Sequence, residues 1–255
     1  MNIVVCVKQI PDPGIPSRLD PETHLLVREG KLIMDDSDAY GVEMALQLVA
    51  AAGEGEVTLV SMAANGEVSG LRTGLAMGAA GAVLVSDEAL SGADALTTAK
   101  VLAAAIGRAG GYDLVLAATE STDGYTGVVP EAVAALLGIS SITFAKRVEV
   151  EGSTVKVQRQ TEAGFDEVET ELPALVSVTA GVVEPRYPSF KGIMSAKGKP
   201  VAVVTVADLG LAVGDWGQEI VSVVPAPVRP AGEIVDDDGE GFQRIVDFLE
   251  LQKII

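Results

Sequence analysis

A polar, glycine-bearing segment is the most chemically suggestive part of this 255-residue sequence. It runs from Ala118 to Gly127, reads Ala-Thr-Glu-Ser-Thr-Asp-Gly-Tyr-Thr-Gly, and follows the apolar run Leu114 to Ala117. Helical spacing begins at Gly127, and the first backbone N–H groups of a helix lack partners within the helix and attract anions. The segment is therefore a candidate phosphate-binding loop. Alternatively, Thr122, Asp123 and Thr126 simply cap the helix, since Ser, Thr and Asp are the ordinary N-cap residues.

Other chemistries are excluded by residues that the chain lacks. No G-x-G-x-x-G follows the first apolar run and no Walker A motif occurs, which excludes classical Rossmann dehydrogenases and P-loop NTPases. One cysteine, Cys6, and one histidine, His24, are too few for a zinc or iron–sulfur site or a histidine-based triad. The acidic pairs Asp35-Asp36 and Asp87-Glu88 could bind Mg²⁺, but adjacent carboxylates are more often solvated caps. We therefore assign neither a metal nor a catalytic residue.

Composition narrows the choice of partners and location. Eighteen basic and thirty-six acidic residues give a formal net charge of −18, so nucleic acids and anionic lipids would repel the chain. Apolar residues make up 48% of the sequence, which is enough for a core, but polar residues interrupt every run before the roughly eighteen residues that a membrane helix needs. We expect a soluble, cytoplasmic protein, and the single cysteine suits a reducing compartment.

The elements that would position the loop follow an α/β pattern from residue 2 to residue 140. Short, continuous apolar runs predict buried parallel strands, and alanine-rich segments with helical spacing predict the crossover helices. The predicted strands are 3–7, 57–62, 82–86 and 114–117, and the predicted helices are 39–52, 67–77, 93–108 and 127–137. The fold class is therefore α/β, a mostly parallel sheet with helices on both faces. Ligands of such sheets bind beyond the carboxyl ends of the strands, where the segment 118–127 lies.

The texture of the sequence changes after residue 139. Alternating apolar and charged residues in 141–150, 154–161, 165–172 and 174–178 predict antiparallel hairpins. Prolines and glycines recur from 182 to 230 too often for a second compact core and indicate an extended arm. The arm ends in a predicted amphipathic helix, 242–251. We therefore divide the chain into a domain of residues 1–181 and an arm of residues 182–255.

The sequence resembles the electron transfer flavoprotein β-subunit family along nearly its whole length. The matching segments are 4–12, 40–46, 71–79, 120–127, 172–178 and, most specifically, Glu184 to Lys197. The resemblance implies an adenine nucleotide α-hydrolase-like fold and an electron carrier subunit rather than an enzyme. It further implies a heterodimer with an α-subunit that carries a redox-active FAD. Electrons would pass from acyl-CoA or other flavin dehydrogenases to a quinone oxidoreductase.

The resemblance also implies a nucleotide site on this chain, holding AMP or, in electron-bifurcating relatives, a second FAD. The implied cofactor-binding residues lie after β-strand ends and before helices: Cys6, Asp35, Asp36, Ser37, Asp38, Met62, Ala118, Thr119, Glu120, Ser121, Thr122, Asp123, Gly124, Tyr125, Thr126, Gly127, Val128 and Val129. The adenine would meet the first six, and the phosphates would lie on 123–129. Tyr125 either stacks on a ring system or covers a helix.

Two stretches of this site depart from the family pattern. Asp35-Asp36-Ser37 stands where the family commonly has Asn-Pro-Phe or Asn-Pro-Leu. Val128-Val129-Pro130 replaces the Gln-Thr-Gly of AMP-binding relatives, so phosphate binding would depend on backbone N–H groups and Thr126. Pro130 removes one such N–H. We favour AMP and keep the second FAD as the alternative.

The segment 187–200 resembles the family's recognition loop for partner dehydrogenases. An exposed leucine of that loop aligns with Phe190, and the implied partner-binding residues are Phe190, Lys191, Ile193 and Met194. Lys191, Lys197 and Lys199 would add local positive charge. Alternatively, Phe190 folds back onto its own sheet. The arm would wrap the α-subunit with apolar groups that include Ile193, Met194, Trp216, Phe248 and Leu249.

A rival function is a stand-alone adenine-nucleotide sensor of the universal-stress type. It would share the α/β layout and the phosphate loop, but it would not need the arm after residue 182. An adenylyl-transferring enzyme would need a catalytic His or Lys in a motif beside the phosphates, and Lys8 and His24 are not in such a motif. Co-purification of an α-subunit distinguishes the flavoprotein from the sensor.

Overall fold

The computed structural model describes residues 1–212, 217–224, 226–229, 231–232, 234–236 and 239–255. The chain divides into two compact units, Met1–Ile220 and Val221–Ile255. The strands are β1 (Ile3–Cys6), β2 (Gln9–Pro11), β3 (Leu32–Met34), β4 (Val57–Ala63), β5 (Gly81–Ser86), β6 (Leu114–Ala118), β7 (Ser140–Glu151), β8 (Thr154–Thr161), β9 (Gly164–Glu171), β10 (Ala174–Val178) and β11 (Val201–Val204). The α-helices are α1 (Asp36–Ala52), α2 (Ser69–Met77), α3 (Ala95–Ala109), α4 (Val129–Leu137), α5 (Phe190–Ala196) and α6 (Gly241–Leu251), and short 3₁₀ turns span Glu88–Leu90 and Ala207–Leu209.

A nine-stranded sheet with the order β11-β5-β4-β1-β6-β10-β7-β8-β9 forms the centre of the first unit. The pairs from β11 to β7 are parallel, and β7, β8 and β9 form antiparallel hairpins. A separate antiparallel pair joins β2 to β3. The predicted α/β fold with a mostly parallel sheet and hairpins after residue 140 is confirmed.

The core consists of two layers, one on each face of the sheet. One layer contains Val42 of α1 and Leu75 of α2, and the other contains Ile106 of α3 and Val133 of α4. All four side chains are buried. Helices therefore cover both faces, as the continuous apolar character of the strands predicts.

The assignment of 174–178 to an antiparallel hairpin is wrong. β10 lies between β6 and β7 and runs parallel to both. All five of its residues are buried. The reason is the continuous run Ala-Leu-Val-Ser-Val, which suits a strand covered on both faces, whereas a half-exposed hairpin strand alternates apolar and polar residues.

The segment after residue 182 contains two short elements of regular structure. It forms α5 and then β11, which pairs with β5 at the edge of the sheet, and the first compact unit extends to Ile220. α5 has seven residues and β11 has four. Such short elements, surrounded by prolines and glycines, show no clear apolar spacing in the sequence. The predicted C-terminal helix is present as α6, with Phe242, Phe248 and Leu251 exposed. Trp216 lies outside the described residues.

Candidate functional site

The strand order reverses at β1, which is where a sheet of this kind is expected to bind a ligand. β4 and β5 lie on one side of β1, and β6 and β10 lie on the other. Cys6 at the end of β1 is level with Val60 on β4 and Ala117 on β6. The connections that leave these strands diverge to opposite faces of the sheet, and this divergence creates a binding crevice at the carboxyl ends. The segment after Ala118 begins at that crevice.

Asp35 joins the start of the candidate phosphate loop to α1. Its buried carboxylate caps α1 by accepting hydrogen bonds from the Ser37 N–H at 3.0 Å and the Ser37 hydroxyl at 2.6 Å. It also accepts from the backbone N–H of Thr122 at 2.7 Å and from its hydroxyl at 3.0 Å. Asp35 therefore serves the loop, while any contact with a base would come from the exposed Asp36 or from the backbone of the turn.

Asp123 holds the middle of the loop against Lys8, which follows β1, and against Arg28. Its carboxylate pairs with the Lys8 ammonium at 2.6 Å and with the Arg28 guanidinium. Lys8 also donates to the Ser121 hydroxyl at 3.1 Å. Burial acts to raise the pKa of Asp123, but the hydrogen bond and charge of Lys8, together with Arg28, lower it overall. Asp123 therefore remains ionised and binds the loop to β1.

The first turn of α4 has no side-chain cap. Val128 is its N-cap residue and provides no side-chain cap, so the alternative in which Thr122, Asp123 or Thr126 caps this helix is wrong. Among the described residues, the backbone N–H groups at 127–129 have no acceptor. Gly127 adopts φ +64°, which turns the chain into the helix. Consecutive unpartnered N–H groups at a helix N-terminus suit an anion.

Tyr125 and Glu120 flank this open turn. Tyr125 adopts φ +49° and its side chain is 66% exposed, so it does not cover a helix of this chain. Glu120 is exposed, and its Oε2 lies 3.3 Å from the position of a Cβ added to Gly127. This carboxylate adds negative charge beside the turn, so it opposes an anion placed there.

Three further predicted site residues, Cys6, Asp38 and Met62, lie at or near the carboxyl ends of β1 and β4 and the start of α1. Met62 and Cys6 are half-buried, whereas Asp38 is buried and accepts from the Lys8 backbone N–H at 2.5 Å. Burial raises the pKa of Asp38 well above its usual range, and the charges of Asp35 and Asp123 act in the same direction. Burial, assisted by the charge of Asp38, raises the pKa of the Cys6 thiol to about 12. The thiol at the end of β1 is therefore inert.

The Cys6 thiol should resist alkylation in the folded protein. A pKa of about 12 in place of 9.0 lowers the thiolate fraction at neutral pH roughly a thousandfold, and the thiolate is the reactive form. Iodoacetamide labelling followed by mass spectrometry should show slow modification in buffer and rapid modification in urea. Equal rates in both solutions would contradict the assigned environment.

An ion pair between the buried Glu43 and the half-exposed Arg186 connects α1 to the segment that precedes α5. The Glu43 carboxylate accepts from the Arg186 Nε at 2.6 Å, from a terminal guanidinium nitrogen at 2.9 Å and from the Gln47 amide at 2.8 Å. Burial acts to raise the pKa of Glu43, but the hydrogen bonds from Arg186 and Gln47 lower it overall. This bidentate pair holds the residues after β10 against α1.

Glu43→Gln should destabilise the protein at pH 7 by about 2 kcal/mol, since a bidentate, charge-assisted contact is lost. The folded-state pKa of Glu43 is lowered, so its stabilisation is present above the unfolded pKa and is lost as pH falls through the folded value. The difference from wild type should therefore shrink below about pH 4. Urea unfolding at pH 7, 5, 4 and 3 measures it.

Glu149→Gln is the matched control, because Glu149 pairs with Arg147 on the exposed surface. It should change the free energy of unfolding little at any pH. A Glu43→Gln effect that is absent at pH 7, or equal at every pH, would show that the ion pair does not stabilise the fold.

Apolar side chains around α5 form an exposed surface. Tyr187 is 95% exposed and Phe190 is 81% exposed, with Ile193 and Met194 about half exposed beside them. We call these four residues the docking surface. Phe190 begins α5 and stands in solvent, so the alternative in which it folds back onto the sheet is wrong. Lys191 and Lys197 are also exposed.

Lys199 is half-buried, and backbone carbonyls engage its ammonium, unlike the exposed Lys191 and Lys197. Its ammonium donates to the backbone carbonyls of Leu75 at 2.8 Å and Ala79 at 2.6 Å. Desolvation lowers its pKa, as expected for an ammonium group withdrawn from water. Lys199 is therefore part of the internal structure.

Comparison with known proteins decides the family. The electron transfer flavoprotein domain model matches residues 23–209. The electron transfer flavoprotein subunit beta of Mycobacterium tuberculosis is 39% identical over 264 residues, covering 100% of this chain and 99% of the relative. The chain belongs to the electron transfer flavoprotein β-subunit family. The subunit beta of Megasphaera elsdenii is 34% identical over 271 residues, with 100% of both chains covered.

A further relative of this β-subunit has a more specific name. The caffeyl-CoA reductase-Etf complex subunit CarD of Acetobacterium woodii is 34% identical over 241 residues, covering 92% of each chain. Family membership supports an electron-transfer role. Within the described ranges of this β-subunit, helices are too short or too polar to cross a bilayer, and acidic, cysteine and histidine side chains form no group suited to a metal ion.

Sequence reasoning located the loop of this β-subunit but missed the residues that support it. Arg28 lies in the long connection between β2 and β3, and its pairing with Asp123 spans 95 positions. Arg186 was recognised only as part of a matching segment, not as the partner of Glu43. Both arginines stand close to another acidic residue in the sequence, Glu29 or Glu184, so proximity along the chain does not identify the partner.

Proposed function

We propose that this β-subunit binds AMP on the loop 118–129 and acts, with an α-subunit that carries FAD, as an electron carrier between flavin dehydrogenases and a quinone oxidoreductase. The observation that carries the proposal is the open first turn of α4 at the switch point of the sheet, with unpartnered N–H groups at 127–129. A phosphate satisfies such groups and favours the positive end of the helix dipole.

The residues around this turn fit a nucleotide with one phosphate. The phosphate would accept hydrogen bonds from the N–H groups of Gly127, Val128 and Val129 and from Thr126. Lys8 and Arg28, both partly exposed, provide positive charge on the far side of Asp123. The Glu120 carboxylate near Gly127 opposes a phosphate of either nucleotide. AMP is therefore proposed on the family resemblance, with a second FAD as the alternative.

The adenine would lie toward Cys6, Met62 and the turn 35–38. Cys6 and Met62 offer half-buried, polarisable surfaces, and the neutral thiol adds no charge next to the ring. Asp35 is occupied by Ser37 and Thr122, so base recognition would depend on Asp36 and on backbone groups. Bound AMP would support the loop, and through it the face of this subunit that helps hold the FAD. The FAD itself would supply the redox chemistry.

The second unit, Val221–Ile255, offers an apolar face to an α-subunit. Phe242, Ile245, Phe248 and Leu251 recur at helical spacing on α6 and are each more than half exposed. A polar opposite face includes Gln243 and Asp247, which hydrogen bond at 2.9 Å. An amphipathic helix with an exposed apolar face gains stability when a partner covers that face. A heterodimer in the cytoplasm is therefore part of the proposal.

Hydrogen exchange of this subunit alone and co-expressed with its α-subunit tests the partner. Protection gained on assembly should concentrate in 182–255. Phe248→Asp should abolish co-purification of the α-subunit, because it places a carboxylate on the apolar face, whereas Gln243→Glu on the polar face should preserve it. Equal protection in both states, or a Phe248→Asp chain that still co-purifies fully, would contradict the heterodimer.

A further inference from the structure

Three of the four residues of the docking surface lie on α5, a helix that cannot be stable alone. α5 has seven residues, and helices of this length are unstable in water without outside support. Three of its apolar side chains, Phe190, Ile193 and Met194, are about half exposed or more. The conformation of the docking surface therefore depends on the groups that hold α5 from beneath.

A close backbone contact brings α5 onto α2. A Cβ added to Gly192 would lie only 2.3 Å from the Ala76 carbonyl oxygen, so the two backbones approach to a distance that only glycine permits. Ser189 caps α5 by accepting from the Gly192 N–H at 3.0 Å, and Ala196 is buried. These contacts determine how near α5 lies to α2, but they leave its last turn unsupported.

Two cations support that last turn in a reciprocal arrangement. The Arg72 guanidinium of α2 donates to the carbonyls of Ala196 at 2.7 Å and Lys199 at 2.9 Å. The Lys199 ammonium donates in return to the carbonyls of Leu75 at 2.8 Å and Ala79 at 2.6 Å. We call these four hydrogen bonds the Arg72–Lys199 clamp. One acceptor of each cation, Ala196 or Leu75, lies in the last turn of α5 or α2, where the helix dipole is negative. The other acceptor, Lys199 or Ala79, lies just beyond that helix.

The positive charges of Arg72 and Lys199 serve only the clamp in the described part of the chain. In the described part of the chain, neither Arg72 nor Lys199 pairs with a carboxylate, although acidic residues outnumber basic ones two to one. α2 is itself firmly seated, because Gly70 packs against Gln9 and β3, and Gly74 packs against Leu59. The clamp therefore ties the last turn of α5 to α2, which is firmly packed against the sheet.

We propose that Arg72 and Lys199 are positioning residues for donor recognition: they contact no partner themselves, but hold α5 so that Phe190, Ile193 and Met194 form one preorganised surface. This inference rests on the proposed electron-carrier function and on the resemblance of 187–200 to the family's recognition loop for dehydrogenases. A preorganised surface binds without an ordering cost, so loss of the clamp should weaken the encounter with a dehydrogenase and leave the later electron-transfer step unchanged.

The test uses the complete heterodimer and its reduced donor dehydrogenase. Arg72→Met should raise the apparent KM for the dehydrogenase about tenfold, with kcat, FAD content and AMP content unchanged. Amide exchange over 190–199 should accelerate, while that of β1 and β6 should not. Lys199→Met should behave in the same way, and Lys199→Arg should recover most of the wild-type KM because it retains the charge and the donors.

Arg108→Met is the matched control, since it removes an exposed arginine from the end of α3. It should leave KM unchanged. If Arg72→Met fails to assemble, the comparison of Lys199→Met with Lys199→Arg decides the question. A KM within twofold of wild type in both methionine variants, with unchanged exchange, overturns the inference. If Phe190→Ala still raises KM, only the clamp is rejected; if Phe190→Ala has no effect, the docking function itself is rejected.

Discussion

Replacing Gly127 by Asp should reduce the retention of AMP by about 100-fold. The position has φ +64°, a region that Asp tolerates better than most residues, so the turn itself should survive. The new carboxylate would stand at the open N–H groups of the first turn of α4 and near Oε2 of Glu120. Placing like charges together costs several kcal/mol, and each 1.4 kcal/mol corresponds to a factor of about ten.

Gly127→Asn is the control that separates charge from shape. Asn matches Asp in size and also tolerates positive φ, but it carries no charge. It should therefore retain AMP much better than Asp does. The measurement is the nucleotide released from purified heterodimer of each variant, quantified by chromatography. Wild-type AMP content in the Asp variant would place the phosphate elsewhere, and equal losses in both variants would indicate a steric rather than an electrostatic effect.

Phe190→Ala should lower the rate of electron transfer from a cognate dehydrogenase about 30-fold at limiting dehydrogenase. Phe190 is 81% exposed at the start of α5, where a partner can bury it. Burial of such a side chain contributes about 2 kcal/mol, the size of an interface hot spot, which corresponds to this factor. The flavin spectrum, the nucleotide content and the heterodimer should remain unchanged, because Phe190 is remote from the phosphate loop in the chain and stands in solvent.

Two substitutions control this experiment. Phe190→Leu keeps a large apolar group and should retain most of the rate. Phe165→Ala makes the same truncation at a phenylalanine that is 59% exposed on β9, at the opposite edge of the sheet, and should have a much smaller effect. An unchanged rate in Phe190→Ala would show that this surface does not dock the dehydrogenase.

The sequence predicts the sheet domain well where local patterns are unambiguous. The runs at β1, β4, β5 and β6 are continuous and apolar, and their flanking helices end at glycines, so composition and period agree. β10 has the same continuous character, but its position after two hairpins suggested a third. Its place between β6 and β7 is decided by long-range pairing, which a local pattern does not contain.

The candidate site is predictable only in part for the same reason. The loop 118–127 could be recognised because its small and polar residues follow a strand and precede a helix. Its supports could not, because Lys8 and Asp123 are 115 positions apart, and Arg28 and Asp123 are 95 apart. The same holds for Arg72 and Lys199, which are brought together only when α5 packs on α2.

Nucleotide counting on the native complex tests the central claim most directly. The β-subunit would be purified with its co-expressed α-subunit and denatured, and the released nucleotides would be identified and quantified by mass spectrometry against the protein. We predict one FAD and one AMP per heterodimer. Two FAD molecules and no AMP would contradict the proposed AMP site, and a chain that carries an adenine nucleotide but never co-purifies with an α-subunit would contradict the electron-carrier account.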